Sequence, residues 1–261
     1  MLKFLFLLSL YVTSAQALDL EALIKDGKLE GKKIGYYIGS FDPLHLGHQD
    51  TVQIPLDEKL VDYVLIFPNW GGDIFKNRVP IEARLEMLFS VFKDHPQVIV
   101  TKLFPKKMQE LLTISNPSHM IDGKPTVKAA FDAKFIGIIG SDTANKLAIP
   151  QKDQKEEEAR KRNVRVFMKG IQITSNHAED TIGGVIALPV DSFIVAQREG
   201  DNLSELNGSV DGRSILAVIQ SKAHPHASST LVKKTLKEGQ PINHMVDPNV
   251  LKIIQDKKLY Q

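Results

Sequence analysis

The sequence predicts an α/β fold built on a doubly wound parallel sheet, and three observations carry that expectation. Strand and helix signals alternate along the whole chain. Residues 63–68 form a short continuous apolar run, as a strand buried on both faces does. Two runs of β-formers stop abruptly at glycine, Gly39 and Gly140, each followed by polar residues. In such sheets ligands sit at the carboxyl ends of the strands.

The elements follow in order. Residues 20–29 read as a short helix, and 33–40 as a strand in which Ile34, Tyr36, Tyr37 and Ile38 are β-formers. Residues 46–60 have helical character, with Pro55 expected to kink or reset the helix. The apolar run at 63–68 is the second strand. Residues 80–93 give the clearest helix, because Ile81, Leu85, Leu88, Phe89 and Phe92 recur at helical spacing behind Pro80. Strands are predicted at 98–103 and 134–140. The charge run at 152–162 reads as an exposed helix leading into a strand at 164–168. Residues 171–184 are turn-rich, 185–196 return to strand character, and 228–238 form a helix opened by Ser228 and Ser229 and closed by Gly239. Asp247 and Pro248 open a last helix towards Leu259.

The N-terminus carries a different signal. Met1 and Lys3 give a short basic start, residues 4–12 are apolar, and Ala15 and Ala17 supply an Ala-x-Ala pattern. That order predicts a secretory signal peptide at 1–17 and export of the mature chain to a periplasm or the medium. An apolar strand, a helix or a retained anchor are the alternatives, and the run is short for a membrane span. Residues 18–261 are then one domain, with a candidate insertion at 151–184 and a small helical part at 228–261.

Composition excludes several classes of function. Lys and Arg number 33 against 31 Asp and Glu, a net charge of +2, so no long-range field favours nucleic acid or an anionic membrane. Cysteine is absent, which removes disulfides, thiolate zinc sites and a cysteine nucleophile together. No feature specifies an oligomeric state.

The chemistry concentrates in Gly39-Ser40-Phe41-Asp42-Pro43-Leu44-His45-Leu46-Gly47-His48, between a strand and a helix. Backbone amides at a helix start point at an anion, Gly39 and Gly47 allow close approach, and two imidazoles three residues apart can face one ligand. Two such histidines can also ligate zinc, but no third ligand at fixed spacing lies nearby. A purely structural turn is the other alternative.

These ten residues resemble the Gly-x-Phe-Asp-Pro-x-His-x-Gly-His signature of the HxGH nucleotidyltransferase superfamily. Phe67-Pro68, Lys76 and Arg84-Leu85-Glu86-Met87-Leu88 resemble the second block of bacterial nicotinate-nucleotide adenylyltransferases; Phe135 to Asp142 resembles their Gly-x-Asp strand end, and Ser228-Ser229-Thr230-Leu231-Val232-Lys233 their Ser-Ser-Thr-x-Ile-Arg block, with lysine for arginine. The resemblance implies a Rossmann-like fold of the nucleotidyltransferase type and transfer of AMP from ATP to nicotinate mononucleotide with release of pyrophosphate. It implies His45 and His48 as catalytic residues. For the nucleotide it implies Gly39, Ser40, Phe41, Asp42, Gly47, Gly140, Asp142, Ser229, Thr230 and Lys233. Magnesium is expected with ATP, held by substrate oxygens and water, with no metal ligand set of the protein's own.

For the phosphorylated acceptor the candidates are Lys76, Trp70, His119 and Met120. Trp70 could stack on a pyridine ring, whereas Arg84 reads as structural. His119-Met120 replaces the Tyr-Thr pair of the family's Pro-Ser-Tyr-Thr-Ile-Asp block, which implies an altered acceptor pocket. Ala196-Gln197-Arg198-Glu199-Gly200 has glutamate where the family has proline. A related adenylyl- or cytidylyltransferase with another acceptor, and an exported nucleotide-binding protein with little turnover, are the competing readings. Export sharpens the choice, because ATP is scarce outside the cytoplasm.

Overall fold

The computed structural model describes residues 18–69, 78–121, 124–148, 166–167, 172–173, 189–206, 208–210 and 213–261. The expected leader at 1–17, the charge run at 152–162, and Trp70 and Lys76 lie outside the described residues, as does most of the candidate insertion at 151–184.

In chain order the elements are α1 (Leu20–Lys25), β1 (Lys32–Gly39), α2 (Leu46–Asp57), β2 (Tyr63–Pro68), α3 (Ile81–Phe92), β3 (Val98–Val100) and α4 (Pro105–Leu112). There follow β4 (Thr113–Ile121), β5 (Lys124–Ala129), β6 (Ala133–Gly140), α5 (Ser141–Ala148), β7 (Val166–Phe167), β8 (Gln172–Ile173) and β9 (Val190–Gln197). A 3-10 turn at Ser204–Leu206, then β10 (Ser209–Val210), β11 (Arg213–Gln220), α6 (Ser229–Lys237) and α7 (Pro248–Asp256) complete the described chain.

Six strands form a parallel sheet in the order β3-β2-β1-β6-β9-β11, and β10 adds an antiparallel edge to β11. The burial pattern explains why. Ile34 to Tyr37, Val64 to Pro68 and Phe135 to Ile139 are buried without alternation, so both faces must be covered. On one face Tyr37, Ile66 and Ile138 pack with Val52 of α2, Leu88 of α3, Val232 of α6 and Val250 of α7. On the other, Tyr36, Phe67 and Phe135 pack with Leu23 of α1, Met108 of α4 and Ala144 of α5. The sheet is doubly wound, and the winding reverses between β1 and β6. After β1 the chain turns to one face as α2; after β6 it turns to the other as α5. A crevice therefore opens between the carboxyl ends of β1 and β6, where the two runs break at Gly39 and Gly140.

Several boundaries differ from the expectation. α2 runs through Pro55 but ends two residues later, at Asp57, consistent with a proline near the last turn where little ladder remains to disrupt. The strand expected at 98–103 pairs only over Val98–Val100, and the one expected at 185–196 begins at Val190. α1 stops at Lys25, and Gly27 adopts φ +66° while Leu29 turns back into the core. The α4 helix, the β4–β5 hairpin, α5 and β11 were not legible as elements. Within the candidate insertion, β7 and β8 pair as a two-residue antiparallel ladder.

Candidate active site

The chain leaves β1 through a tight packing step. A Cβ on Gly39 would sit 2.7 Å from Phe41 Cζ, so the Phe41 ring lies where any side chain would go. Phe41 itself takes φ +49°, a left-handed conformation that a bulky residue holds only when its surroundings demand it. Its ring packs edge-on against Tyr37 at 5.3 Å and against His48 at 5.1 Å. The Asp42–Pro43 bond that follows is cis.

Asp42 is buried and gathers three distant segments. One carboxylate oxygen accepts from the Tyr260 hydroxyl at 2.8 Å and the Val79 amide at 3.2 Å; the other pairs with the Lys233 ammonium. Lys233 also lies 5.2 Å over the Tyr260 ring. Burial and the Asp42 charge push the Tyr260 phenol well above its ordinary value, so it stays a hydrogen-bond donor. Arg84 forms a second clamp beneath the loop: it is buried and donates to the carbonyls of Ser40 (2.8 Å), Asn69 (2.9 Å) and Val79 (3.2 Å). The structural reading of Arg84 fits these contacts.

His45 and His48 cap α2 with each other. His45 Nδ1 accepts from the His48 amide and His48 Nδ1 from the His45 amide, both at 3.3 Å, a reciprocal capping box made of imidazoles. The rings stack at 3.6 Å and 25°. Burial pushes His45 down to about 3, with the Arg198 guanidinium acting the same way and the Asp50 carboxylate opposing it. His48 is pushed well below the imidazole range by loss of solvent and then by His45. Both rings are therefore neutral. Because each Nδ1 already accepts a proton from the backbone, each ring must carry its own proton on Nε2. The pair thus offers two fixed N–H donors on one side of the helix start.

A second helix start meets the first. The Ser229 hydroxyl donates to the Pro43 carbonyl at 3.0 Å, and a Cβ on Gly47 would come within 3.2 Å of Ala227 Cβ. Ser228 caps α6 by accepting from the Leu231 amide, leaving Thr230 exposed in the first turn. The starts of α2 and α6 therefore lie against each other, and both helix dipoles favour an anion there, although at α2 the Leu46 amide is taken by the Met245 carbonyl and the His48 amide by His45 Nδ1.

Across the crevice, Gly140 meets open space where a Cβ would lie. Ser141 is buried and its hydroxyl bonds Asp201, while Asp142, in the first turn of α5, is exposed and paired with Arg198. Asp201 also accepts from the Arg198 amide at 2.9 Å, which docks the turn after β9 onto the start of α5. His119 and Met120 lie on β4, with Met120 opposite Pro125; their side chains are outside the described residues. The structure therefore brings together His45, His48, Gly39, Phe41, Asp42, Gly47, Ser229 and Lys233. Sequence reasoning missed two groups beside them. Arg198 acts electrostatically on both histidines, and Asp50 on α2 holds His224. The rare glutamate after Arg198 and the two histidines before the Ser-Ser-Thr block were the available signals.

No family model matches the chain. A probable nicotinate-nucleotide adenylyltransferase of Fusobacterium nucleatum is 23% identical over 226 residues, covering 85% of this chain and 97% of that protein. One of the same description from Caldicellulosiruptor bescii is 25% identical over 242 residues, covering 88% and 99%. Among solved structures, a Plasmodium falciparum nicotinic acid mononucleotide adenylyltransferase complexed with NaAD aligns with a TM-score of 0.55 at 16% identity, over 88% of this chain and 97% of that one. That structural likeness extends to the fold.

Proposed function

We propose that this chain, similar over most of its length to nicotinate-nucleotide adenylyltransferases, is a nucleotidyltransferase that moves AMP from ATP to nicotinate mononucleotide and releases pyrophosphate. The observation that carries the reading is the imidazole pair. Two neutral rings held to donate from Nε2 sit where two helix N-termini converge at the β1/β6 crevice. This is a site for an anion whose charge shifts during reaction.

The acceptor's own phosphate oxygen attacks the α-phosphorus in line. A new P–O bond forms as the bond from the α-phosphorus to the α,β-bridging oxygen breaks, and its electron pair leaves with pyrophosphate. No covalent intermediate with the protein is required; positioning and neutralisation supply the rate. His45 and His48 donate to the oxygens that gain charge, and the α6 start receives the outer phosphates. Asp42 is occupied by Lys233, Tyr260 and Val79, Asp50 by His224 and Asp142 by Arg198. Among the described residues no cluster of three His, Asp or Glu could hold a metal. Magnesium would come with the ATP substrate, held by phosphate oxygens and water, and would screen the phosphate charge.

The test is a pyrophosphate-release assay of residues 18–261 with ATP or CTP against several phosphorylated acceptors. We expect the highest kcat/KM for ATP with nicotinate mononucleotide, on the order of 10^5 per molar per second. Preference for another acceptor, or no release with any, overturns it. Export through residues 1–17 is a separate proposal: protein from its native source should start at Leu18, and an intact Met1 refutes it.

A further inference from the structure

We infer that His224, oriented by Asp50, is a third imidazole of the phosphate site and contacts the outer phosphates of the bound triphosphate as an imidazolium. The inference rests on the nucleotidyltransferase reading of the site, which it deepens. His224 lies in the loop between β11 and α6, at the same sheet end as Gly39 and Gly140, and that loop runs directly into the α6 start. Its position is built rather than incidental. Asp50 Oδ2 accepts from His224 Nδ1 at 2.8 Å and from the Ser221 hydroxyl, while the His224 amide donates to Ser221 Oγ at 2.8 Å. This closed network joins the loop to the second turn of α2. Independently, Ala227 of the same loop packs on Gly47, between the two capping histidines' helix and α6. Both Asp50 and His224 act electrostatically on the His45 ring.

The hydrogen-bond directions set the role. His45 and His48 accept at Nδ1 and donate at Nε2 while neutral. His224 does the reverse: its Nδ1–H goes to a carboxylate, so a neutral ring presents a lone pair at Nε2 and only the charged ring can donate to a phosphate. Among the described residues Nε2 of His224 has no partner. The charged and titratable groups around it are Asp50 and His45 on α2, Lys222 and His226 on its own loop, and Arg198 and Glu199 on the turn after β9, with His226 paired to Glu199 at 2.9 Å. A triphosphate's outer end should therefore be held more tightly on the acid side of neutrality, and a nucleotide without that end should not.

Calorimetry on residues 18–261 with inorganic pyrophosphate and with AMP, near pH 6 and near pH 8, tests this. His224→Asn, which keeps a partner for Asp50, should weaken pyrophosphate binding about tenfold near pH 6, the loss of one charge-assisted hydrogen bond. It should do much less near pH 8 and leave AMP unchanged. His224→Lys should restore affinity and remove the pH dependence. Unchanged pyrophosphate binding by His224→Asn near pH 6, or an equal loss for AMP, overturns the inference. The titration needs neither acceptor nor turnover. A parent with this pattern that fails to adenylylate nicotinate mononucleotide refutes the reaction and keeps the third imidazole; a parent that turns over without the pattern does the opposite.

Discussion

A histidine whose Nδ1 is committed to a backbone amide has one way left to act, and His45 and His48 share that constraint. Each donates from Nε2 without being charged, so removing either ring should cost transition-state stabilisation more than folding. We expect His45→Ala and His48→Ala each to lower kcat at least ~100-fold while circular dichroism is unchanged; parent-like rates in both would remove their catalytic role. The same neutrality gives a pH signature. His45 sits at about 3 when folded against 6.5 for a free imidazole, so the unfolded chain binds the proton first as pH falls. Its contribution to stability is complete above pH 6.5 and is lost progressively between there and about pH 3, by up to about 1.4 kcal/mol per pH unit. Urea midpoints near pH 7 and near pH 4.5 should therefore lie closer together in His45→Asn than in the parent. The histidine pair was legible because a three-residue spacing at a helix start places the cap and the third residue together. The bond between Asp42 and Lys233 was not: the partners are 191 residues apart, and no local pattern encodes such a contact.

Helix starts organise the site at the next scale. Ser228 holds α6 in register by accepting from Leu231, and Ser228→Ala should cost about 1 kcal/mol in urea unfolding. Gly47 holds the α2 and α6 starts together. Gly47→Ala places a methyl 3.2 Å from both Ala227 and the His45 ring, so the two starts must part slightly. We expect weaker ATP binding from Gly47→Ala than from Ser228→Ala at matched stability; equal affinities would mean that the spacing between the starts is irrelevant. Elements with strong periodicity or continuous apolar runs, α3 and β2, were readable to within a residue. α5 was not, because its first turn, Ser141-Asp142-Thr143-Ala144, is polar apart from Ala144, which reaches the core. β11 escaped because bulky residues also lie on its outer side, where Leu216 and Val218 are exposed, so burial and hydropathy disagree.

For the whole molecule, alternation of strand and helix signals pointed to the carboxyl ends of the strands as the ligand side, whereas the crevice between β1 and β6 follows only from the strand order and the opposite faces that α2 and α5 cover. What alternation cannot supply is closure, and closure here runs through Tyr260, whose hydroxyl reaches Asp42 across 218 residues. Tyr260→Phe leaves a buried carboxylate one donor short and should cost about 1–3 kcal/mol, read as a lower urea midpoint, with a raised KM for ATP as the Asp42 loop loosens. A midpoint and KM equal to the parent's would show that the bond is dispensable. The contact also imposes an order of events on a ribosome. The signature loop emerges early, yet its central carboxylate waits for 218 further residues before the Tyr260 donor arrives. A chain released before Tyr260 would carry every signature residue and still lack a finished site, so nucleotide affinity doubles as a test that synthesis has reached that tyrosine.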